Sequence, residues 1–90
     1  MSKDQGQHNK ITLTVVVSGE GTSVDTNVNA TLTSVAEKAL EQVGSKETDL
    51  SKWKLTNSNK QQLGFNQKVG EAGLADGATI YLDLKAGVTG

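Results

Sequence analysis

Val28-Asn29-Ala30-Thr31-Leu32-Thr33-Ser34-Val35 contains the point at which the pattern of apolar residues changes from alternation to helical spacing. A threonine N-cap accepts a hydrogen bond from backbone N–H groups ahead of it, so Thr31 predicts the start of a helix. Gly44 predicts its end, because glycine readily adopts the left-handed conformation common after helix C-termini. Between them lies a predicted buried face formed by Leu32, Val35, Ala36, Ala39, Leu40 and Val43.

Two strands are predicted before this helix. Residues 11–17 alternate apolar and polar side chains and are rich in β-branched residues, which is typical of a half-buried strand. The glycine-containing segment 18–22 predicts a five-residue hairpin connection. Val24, Thr26 and Val28 then predict the inward face of the second strand.

The sequence after the helix predicts shorter elements. Leu50, Trp53 and Leu55 indicate a third strand, followed by a turn at residues 57–60. Apolar spacing over residues 69–74 predicts a short helical turn that ends near Asp76-Gly77. Strict alternation over residues 79–84 then predicts the last strand, with an inward face formed by Ile80, Leu82 and Leu84.

These segments together predict an α+β fold. A mixed four- to five-stranded sheet would pack on one main helix, with the short helical turn before the last strand. The predicted organisation is a disordered leader at residues 1–9, a globular domain at residues 10–85 and a flexible C-terminal tail at residues 86–90.

The composition excludes several classes of function. The 90-residue chain has no cysteine, which rules out disulfides, thiolate zinc sites and a cysteine nucleophile. The one histidine, His8, lies in the polar leader, so metal binding is not expected. All nine basic residues are scattered lysines and the net charge is −1, which argues against nucleic-acid binding. No signal peptide or membrane span is predicted, so we expect a cytoplasmic protein.

Three stretches resemble the ubiquitin-like β-grasp family. Residues 28–35 are similar to that family's strand exit and threonine helix cap, and Lys60-Gln61-Gln62-Leu63 is similar to its lysine-glutamine-leucine turn. The third stretch, residues 79–84, is similar to its last strand, which is followed by a tail. The resemblance runs from Lys10 to Leu84 and implies the ubiquitin-like β-grasp fold. Within the family, the chain resembles bacterial ubiquitin-like modifiers that have their own activating and conjugating enzymes.

This resemblance implies a function for the C-terminal residues. An activating enzyme would use ATP and magnesium to adenylate the Gly90 carboxylate. Thiols of the activating and conjugating enzymes would then carry the acyl group to a lysine of a target protein, and a deconjugating peptidase is a further possible partner. Partner enzymes would recognise the tail through Ala86, Gly87, Val88 and Thr89. The modifier itself would bind no cofactor and be monomeric.

Thr89 departs from the family pattern, in which eukaryotic members have a second glycine. A β-branched residue stiffens and widens the tail at this position. Two alternatives stay open beside the modifier. The chain could be a non-covalent ubiquitin-like interaction module, or a sulfur carrier in which the terminal glycine becomes a thiocarboxylate, although such carriers typically end in two glycines.

The resemblance also indicates a surface for partner proteins. Many ubiquitin-binding proteins contact an apolar patch on the exposed face of the sheet, and the matching positions here are Lys54, Tyr81 and Asp83. Two of the three are charged, so we expect general ubiquitin receptors not to bind. Tyr81 and Lys54 would anchor a dedicated partner, or all three would be ordinary solvated strand residues.

No active site is predicted. Glu71 and Asp76 lie close in sequence, but no aromatic platform or third polar residue accompanies them, so a solvated acidic loop is the favoured interpretation. Spacing with Leu55 places Trp53 in the core. We therefore expect a protein that is not an enzyme.

Overall fold

A computed structural model describes residues 10–85 of the chain. The predicted leader and tail lie outside the described residues. Four strands and one α-helix follow the predicted order, a fifth strand of two residues is added after the third, and together they confirm the α+β fold. The elements are β1 (Lys10–Val17), β2 (Glu20–Asn27), α1 (Leu32–Val43), a 3-10 helix (Leu50–Lys52), β3 (Trp53–Asn57), β4 (Gln62–Leu63) and β5 (Thr79–Leu84).

The strands form one mixed sheet in the order β2-β1-β5-β3-β4. β1 and β5 lie parallel at its centre, whereas the other neighbouring strands are antiparallel. Helix α1 packs on one face, where Leu13, Val15, Leu55, Ile80 and Leu82 are fully buried. The opposite face of the sheet carries the less buried side chains that alternate with them.

The hairpin between β1 and β2 is tighter than predicted. Only Ser18 and Gly19 form the turn, with positive φ angles of 48° and 90°, and Val17 pairs directly with Glu20. Two successive positive φ angles match the twist of the flanking strands, so residues 20–22 extend β2 and the predicted five-residue loop is wrong. β2 also ends at Asn27, before the predicted inward residue Val28.

Helix α1 begins and ends as the sequence predicts. The Thr31 hydroxyl accepts a hydrogen bond from the Ser34 N–H at 3.4 Å, and Gly44 has a left-handed φ of 70°. The first N–H groups of a helix lack partners within it. Here the Leu32 and Thr33 N–H groups donate to backbone carbonyls of residues 67 and 65 at 2.8 and 3.0 Å. The helix N-terminus is therefore satisfied by the chain that follows β4.

Three predictions about the second half of the chain have different outcomes. Trp53 is 3% exposed, and its Nε1–H donates to the Glu47 carbonyl at 3.2 Å, so the core prediction is confirmed. Leu50 does not belong to the third strand, because it starts a 3-10 helix whose N-cap is Asp49. The predicted short helical turn is present as one turn, closed by the Ala72 N–H and the Lys68 carbonyl at 3.0 Å.

The loop before β5 is joined to β1 by a side chain. The Asp76 Oδ1 accepts from the Thr12 N–H at 2.8 Å, and the Gly77 N–H donates to the Thr12 carbonyl at 2.8 Å. We expect Asp76→Ala to lower the free energy of unfolding by about 1 kcal/mol, because it removes a hydrogen bond to an exposed N–H. Asp76→Asn keeps an acceptor oxygen and should lose less. Urea denaturation measures both, and equal losses would contradict this role for the side chain.

Candidate partner-binding face and C-terminal segment

The sheet face opposite α1 is formed by the side chains that alternate with buried ones. Its middle row crosses all five strands in register and carries no charge. From β2 to β4, this row consists of Gly21, Val16, Tyr81, Thr56 and Gln62. A row of uncharged side chains across a whole sheet offers a continuous surface to a partner.

Tyr81 is the centre of this row. It lies on β5 between Val16 of β1 and Thr56 of β3. Within residues 10–85 it is the large hydrophobic side chain that remains exposed, at 37%. Tyrosine is enriched at interfaces because its ring supplies contact area and its hydroxyl supplies a hydrogen bond.

The three predicted partner-surface residues are brought together by the strand register. Lys54 lies directly opposite Asp83 in the antiparallel pairing of β3 and β5, one row from Tyr81. All three line a shallow recess of about 360 Å³, referred to below as the sheet-face recess. Its complete lining is Lys54, Thr56, Asn57, Ser58, Lys60, Tyr81 and Asp83.

Sequence reasoning missed the other lining residues. Thr56 follows Lys54 by two positions, so strand alternation alone would have placed it on the same face. Ser58 and Lys60 belong to the turn after β3, where alternation does not apply. Their position beside Tyr81 depends on the pairing of β3 with β5, which links chain segments far apart in sequence.

Asn57 organises the turn that holds Lys60. Its Oδ1 accepts from the N–H groups of Asn59 and Gln61 at 2.9 and 3.0 Å, and its own N–H donates to the Gln61 carbonyl at 3.0 Å. Lys60 takes a positive φ of 68° within this turn. The Ser58 hydroxyl donates to the Thr79 carbonyl at 3.1 Å, which fixes the turn against β5. The turn at this end of the sheet-face recess is therefore held by hydrogen bonds within itself and to β5.

The described chain ends beside β3. The Lys85 N–H donates to the Lys52 carbonyl at 2.9 Å, which extends the pairing of β5 with β3 by one residue, and the Lys85 side chain is exposed. The predicted conjugation residue Gly90 and the predicted recognition residues Ala86, Gly87, Val88 and Thr89 lie outside the described residues. The segment that contains them follows directly from the central strand of the fold.

The other acidic candidates have local structural partners. Glu71 Oε1 accepts a hydrogen bond from the Lys68 N–H at 3.1 Å, and Asp76 accepts one from the Thr12 N–H, as described above. The two side chains therefore have separate partners and do not form a carboxylate pair. Hydrogen bonds from the Ser51 hydroxyl and N–H lower the pKa of Asp49, an exposed cap outside the sheet-face recess. Within residues 10–85, no three metal-binding side chains converge on a common point.

Sequence comparison identifies the family of this chain. A family model described as "Protein of Unknown function (DUF2604)" matches residues 6–90. The chain belongs to the DUF2604 family. An uncharacterized protein of Sinorhizobium fredii (strain NBRC 101917 / NGR234), y4jI, is 35% identical to this DUF2604 chain over 97 aligned residues. The match covers 100% of the chain and 75% of y4jI.

Solved structures similar to this DUF2604 protein are ubiquitins and ubiquitin-like domains. Caldiarchaeum subterraneum ubiquitin matches with a TM-score of 0.70 and 20% identity, over 90% of this chain and 99% of that one. The ubiquitin-like domain of the Arabidopsis thaliana protein At2g32350 matches with a TM-score of 0.70 and 20% identity, over 87% and 80% of the two chains. These similarities confirm the ubiquitin-like β-grasp fold.

Among residues 10–85 of the DUF2604 protein, no helix has both the length and the apolar character needed to cross a bilayer.

Proposed function

We propose that this protein is a ubiquitin-like modifier that becomes attached to target proteins through the carboxylate of Gly90. The observation that carries the proposal is the place where β5 ends. Residues 86–90 follow in sequence after this central strand of a ubiquitin-like sheet and after Lys85, whose N–H donates a hydrogen bond to the Lys52 carbonyl. A chain of small residues at this position can extend away from the domain into the active site of another protein.

The proposed chemistry proceeds by acyl transfer. The Gly90 carboxylate attacks the α-phosphorus of ATP on a magnesium-dependent activating enzyme, which forms an acyl adenylate and releases pyrophosphate. A thiol of that enzyme displaces AMP to form a thioester, and a thiol of a conjugating enzyme then takes over the acyl group. A deprotonated lysine amine of the target attacks the thioester carbonyl and releases this second thiol, which leaves an isopeptide bond.

The residues of the tail have separate roles in this scheme. Gly90 lacks a Cβ, so its carbonyl can approach the attacking thiol or amine closely. Gly87, the residue after Ala86, allows a wider range of backbone dihedral angles than other residues do. Val88 and Thr89 are both β-branched and restrict the last part of the tail. Partner enzymes of this protein therefore need a channel wide enough for a threonine beside the reacting glycine.

The same proposal assigns the protein a passive chemical role. It is not an enzyme, and ATP and magnesium act on the activating enzyme. Its partners are the activating enzyme, a conjugating enzyme, target proteins and a deconjugating peptidase, and it acts as a monomer in the bacterial cytoplasm. The burial of apolar side chains in one core, with Tyr81 as the large exposed exception among residues 10–85, supports a monomer.

Tryptic mass spectrometry tests the attachment. The sequence has no arginine and Lys85 is its last lysine, so trypsin should leave Ala86-Gly87-Val88-Thr89-Gly90 on the modified lysines of targets. The protein is produced in its natural host cells, and the remnant should disappear when ATP is depleted before conjugation. In a Lys85→Gln variant the remnant should instead begin at Val69, which proves its origin. The proposal would be refuted if the five-residue remnant were absent from host cells that produce the wild type, or if the remnant beginning at Val69 were absent from those that produce the variant.

The sheet-face recess supports a second candidate, a non-covalent interaction module. An exposed tyrosine beside a recess of about 360 Å³ is suited to partner binding whether or not Gly90 is conjugated. The module would bind partners without ATP and leave no tryptic remnant. The experiment above therefore separates the two candidates.

A further inference from the structure

The charges around the sheet-face recess are not balanced. Lys54 and Lys60 contribute two ammonium groups to its lining and Asp83 contributes one carboxylate, although the whole chain has a net charge of −1. Within residues 10–85 the ion pair that forms is Lys52 with Glu47, at 3.3 Å, so neither recess lysine is ion-paired there. The recess is therefore a locally basic site on a slightly acidic protein.

The two ammonium groups lie in different surroundings. Lys54 lies directly opposite Asp83 on the neighbouring strand, so this carboxylate offsets part of its charge although the two side chains form no ion pair. Lys60 lies on the turn after β3, and Thr56 and Tyr81, which line the same recess, are uncharged. The positive charge without an opposite charge beside it is therefore at the turn, and the Thr56–Tyr81 pair lies between the turn and the row formed by Lys54 and Asp83.

Internal hydrogen bonds leave a defined set of groups for a ligand. Asn57 and Ser58 are used to hold the turn. No bond within residues 10–85 engages the Lys54 or Lys60 ammonium or the Thr56 or Tyr81 hydroxyl. The lining residues therefore carry two ammonium groups and two hydroxyls without an internal hydrogen bond among residues 10–85, together with one aromatic ring, and these groups can contact a partner.

We propose that the sheet-face recess binds a short acidic peptide segment of a partner protein. A carboxylate of the segment contacts Lys60, a second polar group contacts Lys54, and an apolar or aromatic side chain packs on Tyr81. Charge complementarity favours isolated carboxylates over nucleic acid, because Asp83 repels a dense array of phosphates and lysine lacks the planar, bidentate donors of arginine. Binding is non-covalent and goes beyond conjugation through Gly90.

Selection from a random peptide library tests the proposal. Phage-displayed peptides of about 12 residues, long enough to cross the sheet in extended form, are selected on the full chain. The expected result is enrichment of Asp and Glu, together with an aromatic or large aliphatic residue, in peptides that no longer bind the variant K54E/K60E. Enrichment of basic peptides, or no enrichment, would overturn the proposal.

Affinity measurements with the most enriched peptide complete the test. K54E/K60E should weaken binding by about 10-fold or more, because it replaces attraction with repulsion, and Tyr81→Thr should also weaken it. The matched control K46E/K68E makes the same charge change at exposed lysines outside the recess and should leave the affinity nearly unchanged. Raising the salt concentration from about 0.1 to 0.5 M should weaken binding to the wild type.

Two results would contradict the assignment of the recess. One is an equal loss of affinity in K46E/K68E, which would indicate attraction to overall charge. The other is tighter binding of a single-stranded RNA oligonucleotide than of the peptide at the same salt concentration. Thermal unfolding of each variant verifies that the fold is kept, and deletion of Gly90 should leave peptide binding intact even if conjugation fails.

Discussion

Deletion of Gly90 should reduce covalent adducts of this protein to the level seen without ATP. The deletion moves the terminal carboxylate back by about 3.5 Å, the length of one residue, and places the β-branched Thr89 at the acyl centre. The carboxylate then falls short of the nucleotide on the activating enzyme, and a Cβ enters the space that glycine leaves open. Immunoblots of epitope-tagged protein from host cells measure the adducts.

Two controls make the Gly90 result specific. Gly87→Ala changes the tail at a position remote from the reacting carboxylate and should retain most adducts. The thermal midpoint of the deletion variant should equal that of the wild type, because residues 10–85 by themselves form a continuous apolar core. Unchanged adducts after the deletion would show that another group of the protein forms the covalent bond.

Leu82→Ala should have the largest effect on stability. Leu82 is fully buried on the central strand β5, and its neighbours in the sheet are Val17 and Leu55. Truncation removes buried methyl groups and leaves a cavity, so we expect a loss of about 2 to 5 kcal/mol in the free energy of unfolding. Such a loss is a large fraction of the stability of a small domain. Chemical denaturation followed by tryptophan fluorescence measures it through Trp53.

Tyr81→Thr is the matched control for Leu82→Ala. The two residues are adjacent on β5 but their side chains lie on opposite faces of the sheet. Threonine retains the β-branched character that suits a strand, so the loss should stay below about 1 kcal/mol. Similar losses in the two variants would mean that the outer face contributes to folding as much as the core does, contrary to the burial of the side chains.

Local patterns explain why much of the fold could be predicted. The change of period near Thr31 and the glycine at position 44 bound α1 correctly, because capping depends on neighbouring backbone groups. The alternation at Ile80 and Leu82 identified the buried face of β5 for a similar reason. The errors came where local rules compete. Gly21 suits a turn by residue type, but it lies within β2 opposite Val16.

The candidate site was predicted less completely. Lys54, Tyr81 and Asp83 were identified through family resemblance, and the register of β3 with β5 brings them together. Lys60 was assigned only to a turn, because no spacing rule relates a turn residue to a strand that begins at Thr79. The hydrogen bonds of Asn57 and Ser58 determine where this lysine lies.

By itself, the sequence determined the order of α1 and four of the strands, the bounds of α1, most core positions of those strands and the composition of the segment 86–90. Those features depend on periodicity and on hydrogen bonds between residues that are close together in sequence. Tertiary structure alone decided which strands are adjacent and which side chains share the outer face. Parallel pairing of β1 with β5 and antiparallel pairing of β3 with β5 join distant segments. This pairing surrounds Tyr81 with the charged and polar groups of one recess.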